Sequence, residues 1–573
     1  MNRSWRRRLG AAAVAAALLM LESPAATIAE NLPASSAAAS TYMLTHAITA
    51  EVKSVLNERE AGGTRLGAVV RLTNQGTSVV RVPDYEVRLS TADGVKYTLN
   101  PSAANAKAIQ PKERVELSYL VTVDRQDEFS ISELSWISAD DNEYPRKETT
   151  IATIPVVSVE WKGDGSGTAL PVNSWGAPFA LSVLSPSLEY TPVSTVRQST
   201  PQGPATVVVL LVENKGELRE TVPDFRVDGR TEQKVYPGKR VEQDPIVLEP
   251  GERRYIHYAI VSEQKISFQG FTVLTPESFV HTDLVKTVYS IGRLRIGRPE
   301  LASASGGTAA PAAAYELGKP IGFDPLNKLV RSDVQVSLVE LHLHEAEGAG
   351  YQTAIAKFRL DNLSDQPVPV PSFATELISS DGFSYSGARQ KTAVETLAPK
   401  LSYLVSYSYN VPDSEKGDKL TLKILDSQTA APYGIPIAAV PAKAVKGSSE
   451  EAAFSMYPFR VKVDDWTINA QYALGSGYSY KLRLNLDITR EGNIVVDSNF
   501  SKMRVEIVDQ LGRMLSSKVV PFTGANRLVS GWQNIDFDDS RSQQLEYPLS
   551  VYIYETMETP FGEAKRLVKK MKQ

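Results

Sequence analysis

Apolar and polar residues alternate in short runs along this chain, and one arrangement of them returns. The residues two, four and six positions before Asn74 are Leu72, Val70 and Ala68. Before Asn214 they are Val212, Leu210 and Val208, and before Asn362 they are Leu360, Phe358 and Ala356. In the first and third copies the residues between are mostly polar: Arg71 and Thr73, then Lys357, Arg359 and Asp361. A period of two predicts a strand with one face buried and one face wet. The second copy is apolar on both faces, which predicts deeper burial. Asn suits the strand end because its side chain bonds nearby backbone and tolerates a left-handed turn.

The residues after each Asn keep the same register. Pro83-Asp84-Tyr85, Pro223-Asp224-Phe225 and Pro371-Ser372-Phe373 each start nine residues after it. Proline is acceptable at the first residue of a strand. Asp93-Gly94 and Asp381-Gly382 read as turns between paired strands. Pro111, Pro250 and Pro399 each precede Tyr119, Tyr258 and Tyr407 by eight residues. A fourth, divergent copy carries Leu482, Leu484, Leu486 and Ile488, then Met503, Val505 and Ile507, with Arg490 in the place of Asn and Asp509 in that of Asp93. Short strands with turn signals about every ten residues predict β-sandwiches.

These signatures resemble tandem immunoglobulin-like modules of unknown function from secreted and surface proteins of Gram-positive bacteria. The resemblance implies an all-β fold of four tandem immunoglobulin-like β-sandwich domains in an extracytoplasmic setting. It transfers no functional residues.

The length, 573 residues, accommodates four modules. The expected map is a signal peptide at 1–29, modules at 30–154 and 155–296, an Ala/Gly/Pro linker at 297–333, a module at 334–445 and a divergent one at 446–573. Arg3, Arg6, Arg7 and Arg8 precede an apolar run from Gly10 to Leu21, and Thr27-Ile28-Ala29 offers a cleavage site. The run is short for a membrane span, and the mature chain is expected to have none. Pro201-Gln202-Gly203-Pro204 reads as part of a long loop, and Glu563 to Gln573, with five Lys or Arg, as a basic helix or tail. Cys is absent and net charge is -4. That excludes disulfides and thiolate chemistry and gives no sign of nucleic-acid binding.

Candidate chemistry is sparse. His342 and His344 share one face of a strand, as two metal ligands would, with Val339, Leu341 and Leu343 facing the core. The preferred reading is a solvated strand face. His257, between Ile256 and Tyr258, is read as an outward position. Asp536, Asp538 and Asp539, and Asp140-Asp141-Asn142-Glu143, lack calcium-loop spacing. Asp164-Gly165-Ser166-Gly167 lacks the Lys-Ser/Thr of a phosphate loop. The recurrent aromatics Tyr85, Phe225, Phe373, Tyr119, Tyr258 and Tyr407 are read as core. No catalytic, cofactor or metal residue is therefore assigned. The expectation is a non-catalytic exported protein binding a polymer, carbohydrate or protein at the cell envelope. The alternative is a structural or assembly component, with a carbohydrate-active enzyme or peptidase third.

Overall fold

The computed structural model describes residues 41–140, 144–163, 170–298, 315–345, 350–391, 394–446, 452–473, 477–542 and 547–573. Side chains of residue 473 and residues 538–542 are also outside the description. So are the expected signal peptide, the Asp164–Gly167 loop and the 302–314 part of the linker. The protein is all-β, with several sheets that fit β-sandwich packing, and the described residues contain no α-helix. The chain divides into two compact units, one of residues 1–55 and 62–160, the other of 56–61 and 161–573.

In unit one, strand Gly63–Asn74 pairs antiparallel with Arg114–Val123, and Glu86–Thr91 lies between Lys96–Pro101 and Ile131–Asp140. The alternation read from the sequence becomes the core. Ala68, Val70, Leu72, Val87, Leu89, Leu117 and Tyr119 pack there with Trp136.

Each repeated Asn acts as a latch. Asn74 Nδ2 donates to Ser78 O at 2.8 Å and Ile109 O at 3.1 Å, while its Oδ1 accepts from Gly76 N at 2.9 Å. Asn214 does the same with Leu218 O, Leu248 O and Gly216 N, at 2.8, 3.1 and 2.9 Å. Asn362 repeats it with Gln366 O, Leu397 O and Ser364 N, again at 2.8, 3.1 and 2.9 Å. All three are buried. One amide thus ties a strand end to its own turn and to a segment some 35 residues on. Lys112, Gly251 and Lys400 come directly after the second prolines, with positive φ of 62°, 74° and 57°. Glycine adopts this region freely. Lys112 and Lys400 each donate Nζ to a carbonyl, of Gln75 and Leu363, at 2.6 Å. In the divergent copy Arg490 donates Nη2 to Ile494 O, four residues on, as the Asn residues do. Replacing Asn214 by Asp keeps the shape but removes the Nδ2 donors. Two carbonyls then lose their partner, at about 1–3 kcal/mol each. Chemical denaturation of the full chain measures the loss, and a shift no larger than that of an exposed substitution contradicts the latch.

Unit two holds three large apolar clusters among its described residues. The first lies between a sheet containing Ser185–Thr200, Gly203–Asn214 and Arg253–Val261 and one containing Arg226–Arg230, Gly270–Val280 and Lys286–Gly297. The second lies between Val334–Glu345, Tyr351–Asn362 and Ser402–Pro412 and the strands Ala374–Ile378, Leu420–Asp426 and Ile435–Ala442. The third lies between Phe459–Ala473, Gly477–Arg490 and Gly531–Ser542 and the strands Lys502–Val508, Ser550–Thr559 and Gly562–Lys572.

Strand Gly203–Asn214 is apolar on both faces because its second face is also covered. Val207 packs with Ala259, Ala430 and Ile435. Beside that contact Gln198 and Gly434 exchange two hydrogen bonds, at 2.6 and 3.1 Å. Two sequence expectations fail here. Pro201-Gln202 is a tight two-residue hairpin turn, since Thr200 and Gly203 pair directly, and not a long loop. The basic C-terminus is neither helix nor tail: Gly562–Lys572 is a strand, with Ala564, Val568 and Met571 turned inward and most of the cations outward.

Candidate binding face

The two histidines of strand Val334–Glu345 lead to a buried cluster of charged side chains. Opposite Lys357 the pairing register slips between Leu338 and Glu340. That bulge turns Val339 away from the core shared by Leu341 and Leu343 and into the next apolar cluster. The face carrying Glu340, His342 and His344 is therefore covered, and His344 is only 1% exposed. The solvated-face reading is corrected, because the covering strands belong to a later part of the chain.

Under that cover, Lys357 Nζ lies 2.8 Å from Glu340 Oε2 and 2.6 Å from Glu555 Oε1. The second oxygen of Glu555 takes Arg566 Nε at 3.0 Å, and Arg566 also donates to Ser455 O at 2.8 Å. Ser455 Oγ and Tyr457 N donate to Glu340 Oε1 at 2.7 and 3.1 Å. His344 Nε2 stands 3.6 Å from Glu555 Oε2, and His342 Nε2 is 3.8 Å from Glu340 Oε1. Burial pushes the His344 imidazole down to about 4 against the pull of Glu555. It is neutral at pH 7, leaving two cations and two carboxylates. Burial opposes ionisation of Glu340 and Glu555, but Lys357, helped at Glu555 by Arg566, outweighs it and holds both below the usual carboxylate range. With both acids committed to cations, the cluster is built to fasten strands together. Among the described residues no group of three or more His, Asp or Glu is arranged to hold a metal ion. His257 is also buried, its Nδ1 2.6 Å from Glu242 Oε1, which corrects the outward reading. Asp536 faces Lys481 at 3.3 Å; the side chains of Asp538 and Asp539 lie outside the described residues.

The surface offers a different geometry. On strands Phe459–Ala473, Gly477–Arg490 and Gly531–Ser542, alternate residues Leu482, Leu484, Leu486, Ile535 and Phe537 fill the core. Their neighbours form an outward face in register. Asp465, Asn485 and Trp532 make one row; Thr467, Arg483 and Asn534 the next; Asn469, Lys481 and Asp536 the third. Trp532 is 46% exposed, and the Arg483 guanidinium lies 4.8 Å from its ring centroid. A cation over one ring face fixes the indole without covering it. Asn amides present a donor and an acceptor side by side. A flat surface with one large aromatic and several amides suits a ligand that is apolar on its faces and hydroxylated at its edges. Sequence reasoning passed over Trp532, because the aromatics it weighed were the repeated ones. Of those, Tyr119, Phe225, Tyr258, Phe373 and Tyr407 are buried and Tyr85 half-buried.

Comparison with protein-family models finds no match, and comparison with curated proteins finds none. A solved protein of unknown function from Porphyromonas gingivalis is similar at 13% identity over 45% of this chain and 99% of its own, with a TM-score of 0.15.

Proposed function

We propose that this is a non-catalytic, exported binding protein of the cell envelope. It is organised as four tandem immunoglobulin-like sandwiches, and the divergent fourth carries the contact with a polysaccharide ligand. The observation that carries the reading is the exposed Trp532, ordered by Arg483 on an amide-bearing sheet face. Trp and Arg are among the residue types enriched where binding energy concentrates. The alternative, a structural spacer or assembly component, draws on the buried fastening at Lys357 and Glu555 and on the Gln198–Gly434 contact, both of which stiffen unit two. The two readings separate in one experiment. The full chain is passed over immobilised envelope polysaccharide beside Trp532→Ala. Retention of the parent and loss of retention in the variant, at unchanged melting temperature, supports binding. Retention of neither favours the spacer, and equal retention of both removes Trp532 from the contact.

A further inference from the structure

The opposite sheet of the same sandwich presents a second, chemically distinct face. We propose that the outward side of strands Lys502–Val508, Ser550–Thr559 and Gly562–Lys572 binds an acidic, carboxylate-bearing polysaccharide. The register sets cations around two tyrosines. Tyr552 stands opposite Lys570 on one side and Glu506 on the other; Tyr554 stands opposite Arg504; Thr556 stands between Lys502 and Lys565; Ser550 faces Lys572. Lys570 Nζ is 4.7 Å from the Tyr552 ring centroid and Lys565 Nζ 5.0 Å from that of Tyr554.

The charges do not cancel. Arg504 bonds Glu506 at 2.7 Å and both oxygens of Glu563 at 3.2 and 3.1 Å, and Lys565 lies 3.6 Å from Glu506. That quartet is neutral. Lys502, Lys570 and Lys572 remain, and among the described residues none is paired with a carboxylate. Three uncompensated ammonium groups thus share one face of a chain whose net charge is -4.

The ligand class is set by how those charges are held. Bidentate recognition of phosphate favours Arg, and Arg504 already spends its guanidinium on Glu506 and Glu563. Lysine is a compact, strongly hydrated point charge without that planar fork. Nucleic-acid affinity rests on neutralising many phosphates with Lys and Arg, and this face leaves three lysines uncompensated. A sugar chain needs fewer charges, and the tyrosines offer it apolar edges and hydroxyl partners. This face is independent of Trp532, since the apolar core of the sandwich lies between the two sheets.

The test is binding of the full chain to polygalacturonate, with neutral dextran, polyphosphate and single-stranded DNA as controls. Retention by polygalacturonate alone is expected, weakening with salt as exposed charges are screened. Lys570→Glu/Lys572→Glu, and separately Lys502→Glu, should weaken it about tenfold or more, while Trp532→Ala leaves it unchanged. Undiminished binding by the lysine variants, equal or tighter retention on polyphosphate or DNA, no retention at all, or loss in Trp532→Ala would each overturn the proposal.

Discussion

Replacing Lys357 by Ala will destabilise unit two by about 3–5 kcal/mol, because it strands buried carboxylates without their shared cation. Glu340 and Glu555 are 5% and 1% exposed, so water does not take over from the ammonium. Replacing Lys357 and Glu340 together, by Met and Leu, will recover part of the loss, since the Glu555–Arg566 pair stays intact. Urea titration of the full chain, monitored by tryptophan fluorescence, provides the comparison. A Lys357→Ala chain as stable as the parent would show that the cluster fastens nothing.

The same cluster sets a pH dependence. The folded His344 titrates near 4, below its ordinary 6.5. Between those values the unfolded chain takes up a proton that the folded chain refuses. Stability is therefore full above about pH 6.5 and falls as pH drops toward 4, by about 3 kcal/mol. Glu340 and Glu555, held below the usual carboxylate range, extend the loss at lower pH. The groups facing His344 are Glu555, Arg566 and His342. His344→Leu should flatten the upper part of the profile and leave the lower part in place.

Tyr258→Ala is the second large effect. Tyr258 is fully buried, its ring 5.0 Å from Phe225, which in turn meets Tyr190 at 5.2 Å. Truncating a buried aromatic costs about 3–5 kcal/mol. Scanning calorimetry of the full chain should show a lower transition for unit two. An unchanged melting profile would place the repeated aromatics on the surface and make them binding residues.

Much of the fold was legible because it is written in local spacing. The period of two before Asn74, Asn214 and Asn362 fixes which side chains face inward, and the turn chemistry of Asn and Pro marks strand ends. The burial of Tyr119, Tyr258 and Tyr407 could be read from their shared register. What escaped is the effect of one part of the chain on another. Lys357, Glu340 and His344 look like an ordinary wet strand face until strands from beyond residue 450 cover them. Val339 changes sides through a bulge that the alternation does not announce. The cations of Gly562–Lys572 outweighed, in a local reading, the inward Ala564, Val568 and Met571. Trp532 recurs in no other copy, so a reading built on repeats had no reason to weigh it.

Hydrogen–deuterium exchange of the full chain, with and without a saturating envelope polysaccharide, tests the binding claim most directly. Bound polymer should slow exchange at residues 481–485 and 531–536, around Arg483 and Trp532, and leave the latched turns at Asn74, Asn214 and Asn362 unaffected. No protection at those two strands, or protection confined to other surfaces, would contradict the account.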